Sequence, residues 1–183
     1  MPVLDDDAWM LLHEVRLRGV VVLDDEALAR PLIDGGLVAA AARGLRITPA
    51  GRDAHASWAR LGVGTDEEAT VQRMYEPFIS LNRELIRICN DWQQQPGDWA
   101  VVDRLTTLHE RATPVLTRVA RAHVRFATYR PRLRGALARV DDGEQEWLTS
   151  PRCDSYHTVW MQLHEDVLLA LGIDRSSEAG SAP

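Results

Sequence analysis

The sequence predicts a mainly α-helical protein, with two short β-strands near the N-terminus and an all-helical bundle after them. Three observations lead to this prediction. Two short apolar segments flank a turn in the first third of the chain. From residue 65 onward, apolar residues recur at the three- and four-residue spacing of amphipathic helices. Two glycines, in Gly62-Val63-Gly64, separate these parts. We therefore expect an N-terminal domain at 1–62, a helical domain at 65–174 and a disordered tail at 175–183.

The composition is that of a globular chain without an overall basic field. Apolar residues make up 45% of the 183 residues, which is enough for a real core. The formal net charge is −6, so no overall positive field attracts nucleic acid. All 21 basic residues are Arg, and together with the many alanines this indicates a GC-rich coding bias. Arginine abundance alone is therefore weak evidence for phosphate binding.

The chain shows no signal of export or membrane insertion, and a metal site has only weak support. Residues 1–7 are acidic and have no apolar core of the signal-peptide kind. No apolar run reaches membrane-spanning length. Cys89 and Cys153 fit no metal-ligand or redox spacing. We expect a soluble cytoplasmic protein with no membrane partner, metal or cofactor.

The chain begins with an amphipathic helix over Asp5 to Arg18, which Gly19 ends. Its buried face is expected to contain Trp9, Leu11, Leu12 and Val15. The β-branched run at 20–23 reads as a short strand, and Asp24 is expected to cap a helix after it.

The next stretch, LVAAAARGLRITPAGR at 37–52, reads as strand, turn, strand and helix start. Leu37-Val38 and Leu45-Arg46-Ile47 are the two strands, and residues 39–44 turn the chain between them. Thr48 is expected to cap the following helix, with Pro49 at its first position. Trp58 should pack that helix, which runs to about Leu61, onto the first one.

This order of elements, with the phrase Ile-Thr-Pro-Ala-Gly-Arg at its end, resembles the MarR-type and related bacterial winged-helix transcriptional regulators. The resemblance covers about residues 5 to 62. It implies a winged-helix domain, a homodimer, and a helical domain in which a bound small molecule changes the spacing of the two winged domains. It also implies DNA as a partner, with Arg43, Arg46 and Arg52 near the wing as phosphate contacts.

One segment departs from that pattern. Between Asp24 and Leu37 only about a dozen residues are available, Pro31 interrupts them and Gly35-Gly36 ends them. One helix or two single turns fit there, so the recognition helix of a helix-turn-helix is shortened or lost. Residues 1–62 also carry seven Arg against nine Asp or Glu, a net charge of −2. Both features weigh against DNA binding.

The bundle is expected to contain about five helices. Thr65 and Glu68 have the spacing of a capping box, so a long helix should begin at Asp66 and run to about Gln93. Two apolar stripes on it, one from Met74 to Trp92 and the other including Ile86, predict a central position. Further helix starts are expected at Asp98, Thr113-Pro114, Arg130-Pro131 and Ser150-Pro151, the last helix ending before Gly172.

Candidate site residues lie on these helices. His157 and His164 are two turns apart on one face, with Met161 between them and Tyr156 and Trp160 at its border. His109 is the expected third member of a ligand pocket. The proposed ligand contacts are Asn82, Arg83, Arg87, Trp92, Tyr156, Trp160 and Met161. The alternative for each is structural: histidines satisfied inside a bundle and solvated arginines.

Three function hypotheses follow. The first is a winged-helix regulator-like protein with a small-molecule-binding or dimerising helical domain. The second is a small enzyme of specialised metabolism that keeps the scaffold, with His109, His157, His164 and Glu165 as acid–base candidates. The third is a protein–protein adaptor with a solid bundle. The segments SLNRELIRICNDW and DSYHTVWMQLHED resemble actinobacterial regulator-like proteins without indicating an activity.

Overall fold

A computed structural model describes residues 4–23 and 26–175, and this part contains eight α-helices, one short 3-10 helix and one two-stranded sheet. The mainly α-helical prediction is confirmed. The elements in chain order are α1 Asp6–Arg18, α2 Glu26–Asp34, β1 Val38–Ala41, β2 Gly44–Ile47, α3 Pro49–Ala59, α4 Asp66–Gln94, α5 Trp99–Ala122, the 3-10 helix Val124–Thr128, α6 Tyr129–Asp141, α7 Glu146–Thr149 and α8 Tyr156–Leu171.

The chain divides into two compact units. Unit 2 is Gly62–Val167, and unit 1 combines the residues up to Leu61 with those from Leu168 onward. The sequence-based boundaries keep 65–174 in one domain, whereas the structure groups the last turn of α8 with the N-terminal residues. A backbone hydrogen bond from Leu61 N–H to the carbonyl of Ala170, 2.9 Å, lies within unit 1. Of the expected tail at 175–183, only Arg175 lies within the described residues.

Unit 1 is organised around α1 and α3. Asp5 caps α1 by accepting from Ala8 N–H at 2.9 Å, and Gly19 ends it with a positive φ of 82°. Thr48 caps α3 through Gly51 N–H, with Pro49 at the first position, as the sequence predicts. The indoles of Trp9 and Trp58 stack at 5.5 Å and join the two helices.

The β-hairpin has a tighter turn than the sequence predicts. β1 and β2 pair antiparallel with Ala41 opposite Gly44, so only Ala42 and Arg43 form the turn and Ala39 is already in the strand. This hairpin requires glycine at position 44, because the φ of Gly44 is 127° and an added Cβ would lie 2.1 Å from the carbonyl oxygen of Val21. Val21 forms a β-bridge to the hairpin at Leu45.

A single nine-residue helix, α2, connects Val21 to the hairpin, which is one of the two arrangements that the sequence allows. Pro31 lies inside it and is exposed. Leu28 and Ile33 on α2 are 40% and 44% exposed, so part of its outer surface is apolar. The predicted cap Asp24 lies outside the described residues.

Unit 2 is built on the antiparallel pair α4 and α5. Three side-chain contacts join the two helices: Arg104 with Asp91, Arg111 with Glu84, and Arg118 with Met74. The residue numbers increase along α5 while those of their partners decrease along α4, which shows that the helices are antiparallel. Thr65 caps α4 by accepting from Glu68 N–H, and the Glu68 carboxylate accepts from Gly64 N–H at 2.6 Å. This arrangement is the predicted capping box with one difference: the Glu68 carboxylate accepts from Gly64 N–H and not from the N–H of the cap residue, Thr65.

Three sequence predictions in unit 2 are wrong. α5 does not restart at Thr113-Pro114 but runs through Pro114, since that residue removes only one helical hydrogen bond and buried residues on both sides of it continue one apolar stripe. The last helix begins at Tyr156 rather than at Ser150-Pro151, because Ser155 accepts from Thr158 N–H as its cap. Ile86 is 42% exposed, so the second stripe of α4 is interrupted.

Candidate functional site

Unit 2 contains an open cleft between α5 and α6 with a volume of about 370 Å³. It is lined by His109, Thr113, Arg130, Pro131 and Arg134. His109 and Thr113 are one turn apart on α5, and Arg130 and Arg134 are one turn apart on α6. Residues four apart share a helix face. Each helix therefore contributes one such pair to the cleft.

The guanidinium-bearing side chains of Arg130 and Arg134 both line this cleft. Arg130 and Arg134 are exposed, and no carboxylate of the described residues lies within 4 Å of either. Two other arginines of α6 do pair with acids, Arg132 with Asp154 at 3.1 Å and Arg139 with Glu144 at 3.0 Å. The cleft is thus a local positive site on a chain of net charge −6.

His109 connects the cleft to the interior. Its Nδ1 lies 3.2 Å from the phenol oxygen of Tyr156, a completely buried residue of α8. Burial lowers the pKa of His109 below 6.5, and the charge of Arg130 lowers it further, while the nearby Glu110 works in the opposite direction. Burial also raises the pKa of Tyr156, so its hydroxyl stays protonated. At neutral pH the pair is therefore a neutral imidazole beside a phenol.

Behind His109 a row of aromatic side chains fills the interior of unit 2. Tyr156 stacks on Trp160 at 6.2 Å, and Trp160 stacks on Phe78 at 5.0 Å. The indole N–H of Trp160 donates to Oδ1 of Asn82 at 3.0 Å, so this buried amide has the partner that the sequence required for it. Asn82, Tyr156 and Trp160 are therefore interior residues, and only His109 continues the row into the cleft.

The other predicted histidines lie elsewhere in α8. His164 is buried against the Phe78 ring at 5.7 Å. His157 is half-buried, and burial lowers its pKa. Met161 and Glu165 are also half-buried. None of these four residues lines the cleft that holds His109.

The remaining predicted contacts of unit 2 are spread along α4. Arg83 and Arg87 are exposed. Two acids near them in the sequence pair with arginines of α5, Glu84 with Arg111 and Asp91 with Arg104. Trp92 lines a separate small pocket of about 100 Å³ together with Trp99.

The predicted DNA contacts lie in unit 1. Arg43 is in the hairpin turn, Arg46 is on β2 and Arg52 is in the first turn of α3; all three are exposed. No carboxylate of the described residues lies within 4 Å of these guanidinium groups.

Sequence reasoning did not identify Thr113, Arg130 and Arg134 as site residues. A signal for them exists, because Arg130 and Arg134 have the same four-residue spacing as Arg83 and Arg87, and Thr113 follows His109 by four. What the sequence lacks is the pairing of α5 with α6, which alone brings these two local pairs together.

A second polar cluster in unit 2 is fully enclosed. Nε of Arg125 lies 2.9 Å from Oδ1 of Asp166, and both side chains are at most 1% exposed. The hydroxyl of Tyr129 donates to the other carboxylate oxygen at 3.1 Å. This cluster is closed to a ligand, because burial leaves no route from solvent to either charge.

Residues 4–23 and 26–175 contain no group of three or more His, Cys, Asp and Glu placed to hold a metal ion. None of the helices in these ranges is long and apolar enough to cross a membrane. No protein-family model, curated protein or solved structure matches the chain.

Proposed function

We propose that this chain is a small-molecule-binding protein of the regulator type, in which unit 2 takes its ligand in the cleft between α5 and α6. The observation that carries the proposal is the convergence of His109, Arg130 and Arg134 on one open cleft of about 370 Å³. That volume lies within the range of small-molecule sites, which have a few polar groups at defined positions.

The charges in the cleft favour a binding role over a structural one. A structural arginine is expected to pair with an acid, as Arg132 and Arg139 do in the same helix. Arg130 and Arg134 instead keep their charges beside a histidine that they help to hold neutral. A bound anion would interact favourably with both of these cations at once.

DNA binding by a winged-helix-like unit 1 is a second candidate. The exposed guanidinium groups of Arg43, Arg46 and Arg52 favour it, since they are placed on the hairpin and at the start of α3. The single helix α2 and its exposed Leu28 and Ile33 oppose it, because a recognition helix carries polar side chains toward base edges.

The enzyme alternative depends on His109, the one acid–base candidate from the sequence that lines the cleft. A neutral imidazole beside two cations can move a proton next to a bound carboxylate or phosphate. Turnover that disappears in His109→Gln but survives in His157→Gln would favour this alternative over simple binding.

Ligand binding can be tested with a cleft-filling variant. We expect ligand-detected NMR of a mixed small-molecule library to give hits with the wild-type protein that disappear in Pro131→Trp, which places an indole in the cleft. Pro151→Trp, at an exposed proline outside the cleft, is the matched control and should keep the hits. Hits that are equal in all three proteins would place the ligand elsewhere.

The regulator part of the proposal has its own test. Fluorescence anisotropy with duplex DNA should show binding that weakens steeply with salt and is reduced in Arg43→Gln and Arg46→Gln. Sedimentation should show a homodimer. Absence of DNA binding at low salt would leave a ligand-binding protein that does not read DNA.

A further inference from the structure

The hydrogen-bonding groups around the cleft define the chemical class of ligand that it fits. Both guanidinium groups offer only N–H donors. The hydroxyl of Thr113 donates to the carbonyl of His109 at 2.9 Å, so its proton is not directed at a ligand. The role of His109 then depends on which of its ring nitrogens carries the proton.

The buried phenol of Tyr156 decides the tautomer of His109. Its hydroxyl has one hydrogen-bond partner among the described residues, Nδ1 of His109. A buried O–H donor without an acceptor costs more than an oxygen that accepts nothing. The Tyr156 hydroxyl therefore donates, and Nδ1 accepts. In a neutral ring this leaves the proton on Nε2.

Because Nδ1 is occupied by Tyr156, Nε2 is the ring nitrogen of His109 that is left to bond a ligand in the cleft that this residue lines. The cleft then presents an Nε2–H group from α5 and two guanidinium groups from α6. Three groups that only donate, two of them charged, match a ligand group that only accepts and is negative.

We infer that the cleft binds the oxyanion group of a small organic molecule, a phosphate or a carboxylate, between Arg130, Arg134 and Nε2–H of His109, with Tyr156 as the positioning residue that fixes the tautomer. This inference rests on the proposed function and specifies its ligand. The volume of about 370 Å³ exceeds that of an oxyanion alone, so an organic portion fits beside it.

The tautomer can be read directly. Nitrogen-15 correlation spectra of the full chain at neutral pH should show His109 with its proton on Nε2. Tyr156→Phe keeps the ring packing but removes the donor, so the His109 signals should shift toward a mixture of tautomers. A merely structural tyrosine would leave the tautomer unchanged, and a wild-type proton on Nδ1 would overturn the assignment.

The ligand class is tested by titrating inorganic phosphate and, separately, acetate, while following the His109 signals. We expect saturable binding of at least one anion, weakened about 10-fold by Arg134→Gln, since a charge-assisted hydrogen bond is lost. The ratio of the two affinities separates a phosphate site from a carboxylate site. His109→Gln retains an N–H donor and should bind better than His109→Leu. Arg73→Gln, at an exposed arginine of α4 outside the cleft, is the matched control and should bind as the wild type.

The outcomes separate this inference from the proposed function. If neither anion binds but neutral molecules give hits that Pro131→Trp abolishes, the oxyanion inference fails and the ligand-binding proposal stands. If no molecule of any class depends on Pro131 or Arg134, both fail. Anion binding that is equal in Arg134→Gln and the wild type would also overturn the inference.

Discussion

Arg125 and the pair Arg130 and Arg134 lie within ten residues of one another, yet the structure uses them in opposite ways. Arg125 is 2% exposed and paired with Asp166. Arg130 and Arg134 are exposed beside His109 in an open cleft, and no carboxylate of the described residues lies within 4 Å of either guanidinium group. The difference shows that pairing and burial, rather than residue type, separate a structural charge from a candidate binding charge.

The largest expected effect is on the buried pair of Arg125 and Asp166. Arg125→Ala should lower the free energy of unfolding by about 3–5 kcal/mol, because it leaves the Asp166 carboxylate buried without its cation. Urea unfolding followed by circular dichroism measures it. Arg130→Ala is the matched control and should change stability by less than about 0.5 kcal/mol. Equal effects of the two substitutions would remove the distinction between the two sites.

A smaller loss is expected for the interior row behind His109. Asn82→Leu replaces the amide by an apolar side chain of similar size and leaves the indole N–H of Trp160 without its acceptor. The cost of a buried unmade hydrogen bond is about 1–3 kcal/mol. Urea unfolding and the shift of Trp160 fluorescence report it. Unchanged stability would mean that the indole finds another acceptor.

In the open cleft, Arg130→Gln and Arg134→Gln should weaken anion binding without changing the free energy of unfolding. Each removes one charged donor from the cleft, and for the anion that the wild type binds, phosphate or acetate, we expect about 10-fold weaker binding per substitution at low salt. The effect should shrink as ionic strength rises, because exposed charges are screened. A loss of affinity that accompanies a loss of secondary structure would instead indicate a structural role.

The smallest effect concerns pH. The pKa of His157 is lowered in the folded protein by burial, so the unfolded chain binds more protons between the folded pKa and 6.5. This contribution to stability is fully present above 6.5 and is lost as the pH falls toward the folded pKa. Urea unfolding at pH values on either side of 6.5 should show this decline. His157→Gln should reduce it, whereas a steeper decline in the variant would contradict the sign. The pKa of His109 is also lowered in the folded protein, so His109 adds to the loss of stability at low pH in the wild type.

The parts of the fold that could be predicted from the sequence are those decided by local chemistry. The side chains of Thr48, Thr65 and Asp98 each bond a backbone N–H two or three residues ahead, and Gly19 ends α1 with a positive φ. These contacts span few residues, so a sequence pattern is enough to find them.

The features of the fold that local sequence patterns did not predict depend on tertiary packing. Pro114 reads as a helix break, yet packing on both sides keeps α5 continuous. The last turn of α8 belongs to unit 1. The spacing of apolar residues along one helix carries no information about which unit each turn joins. Of the cleft residues, the sequence singled out only His109, and as the third member of a pocket with His157 and His164, which do not line the cleft. Arg130 and Arg134 reach His109 only through the packing of α6 on α5.

The central claim is that the charges of Arg130 and Arg134 serve a ligand and not the fold. Isothermal titration of phosphate and, separately, of acetate into the wild type and into the double variant Arg130→Gln/Arg134→Gln, at low salt, tests it most directly. The account predicts saturable binding of at least one of these anions in the wild type and of neither in the variant, with the same midpoint of urea unfolding. Binding of equal strength in both proteins, or of neither anion to the wild type, would contradict it.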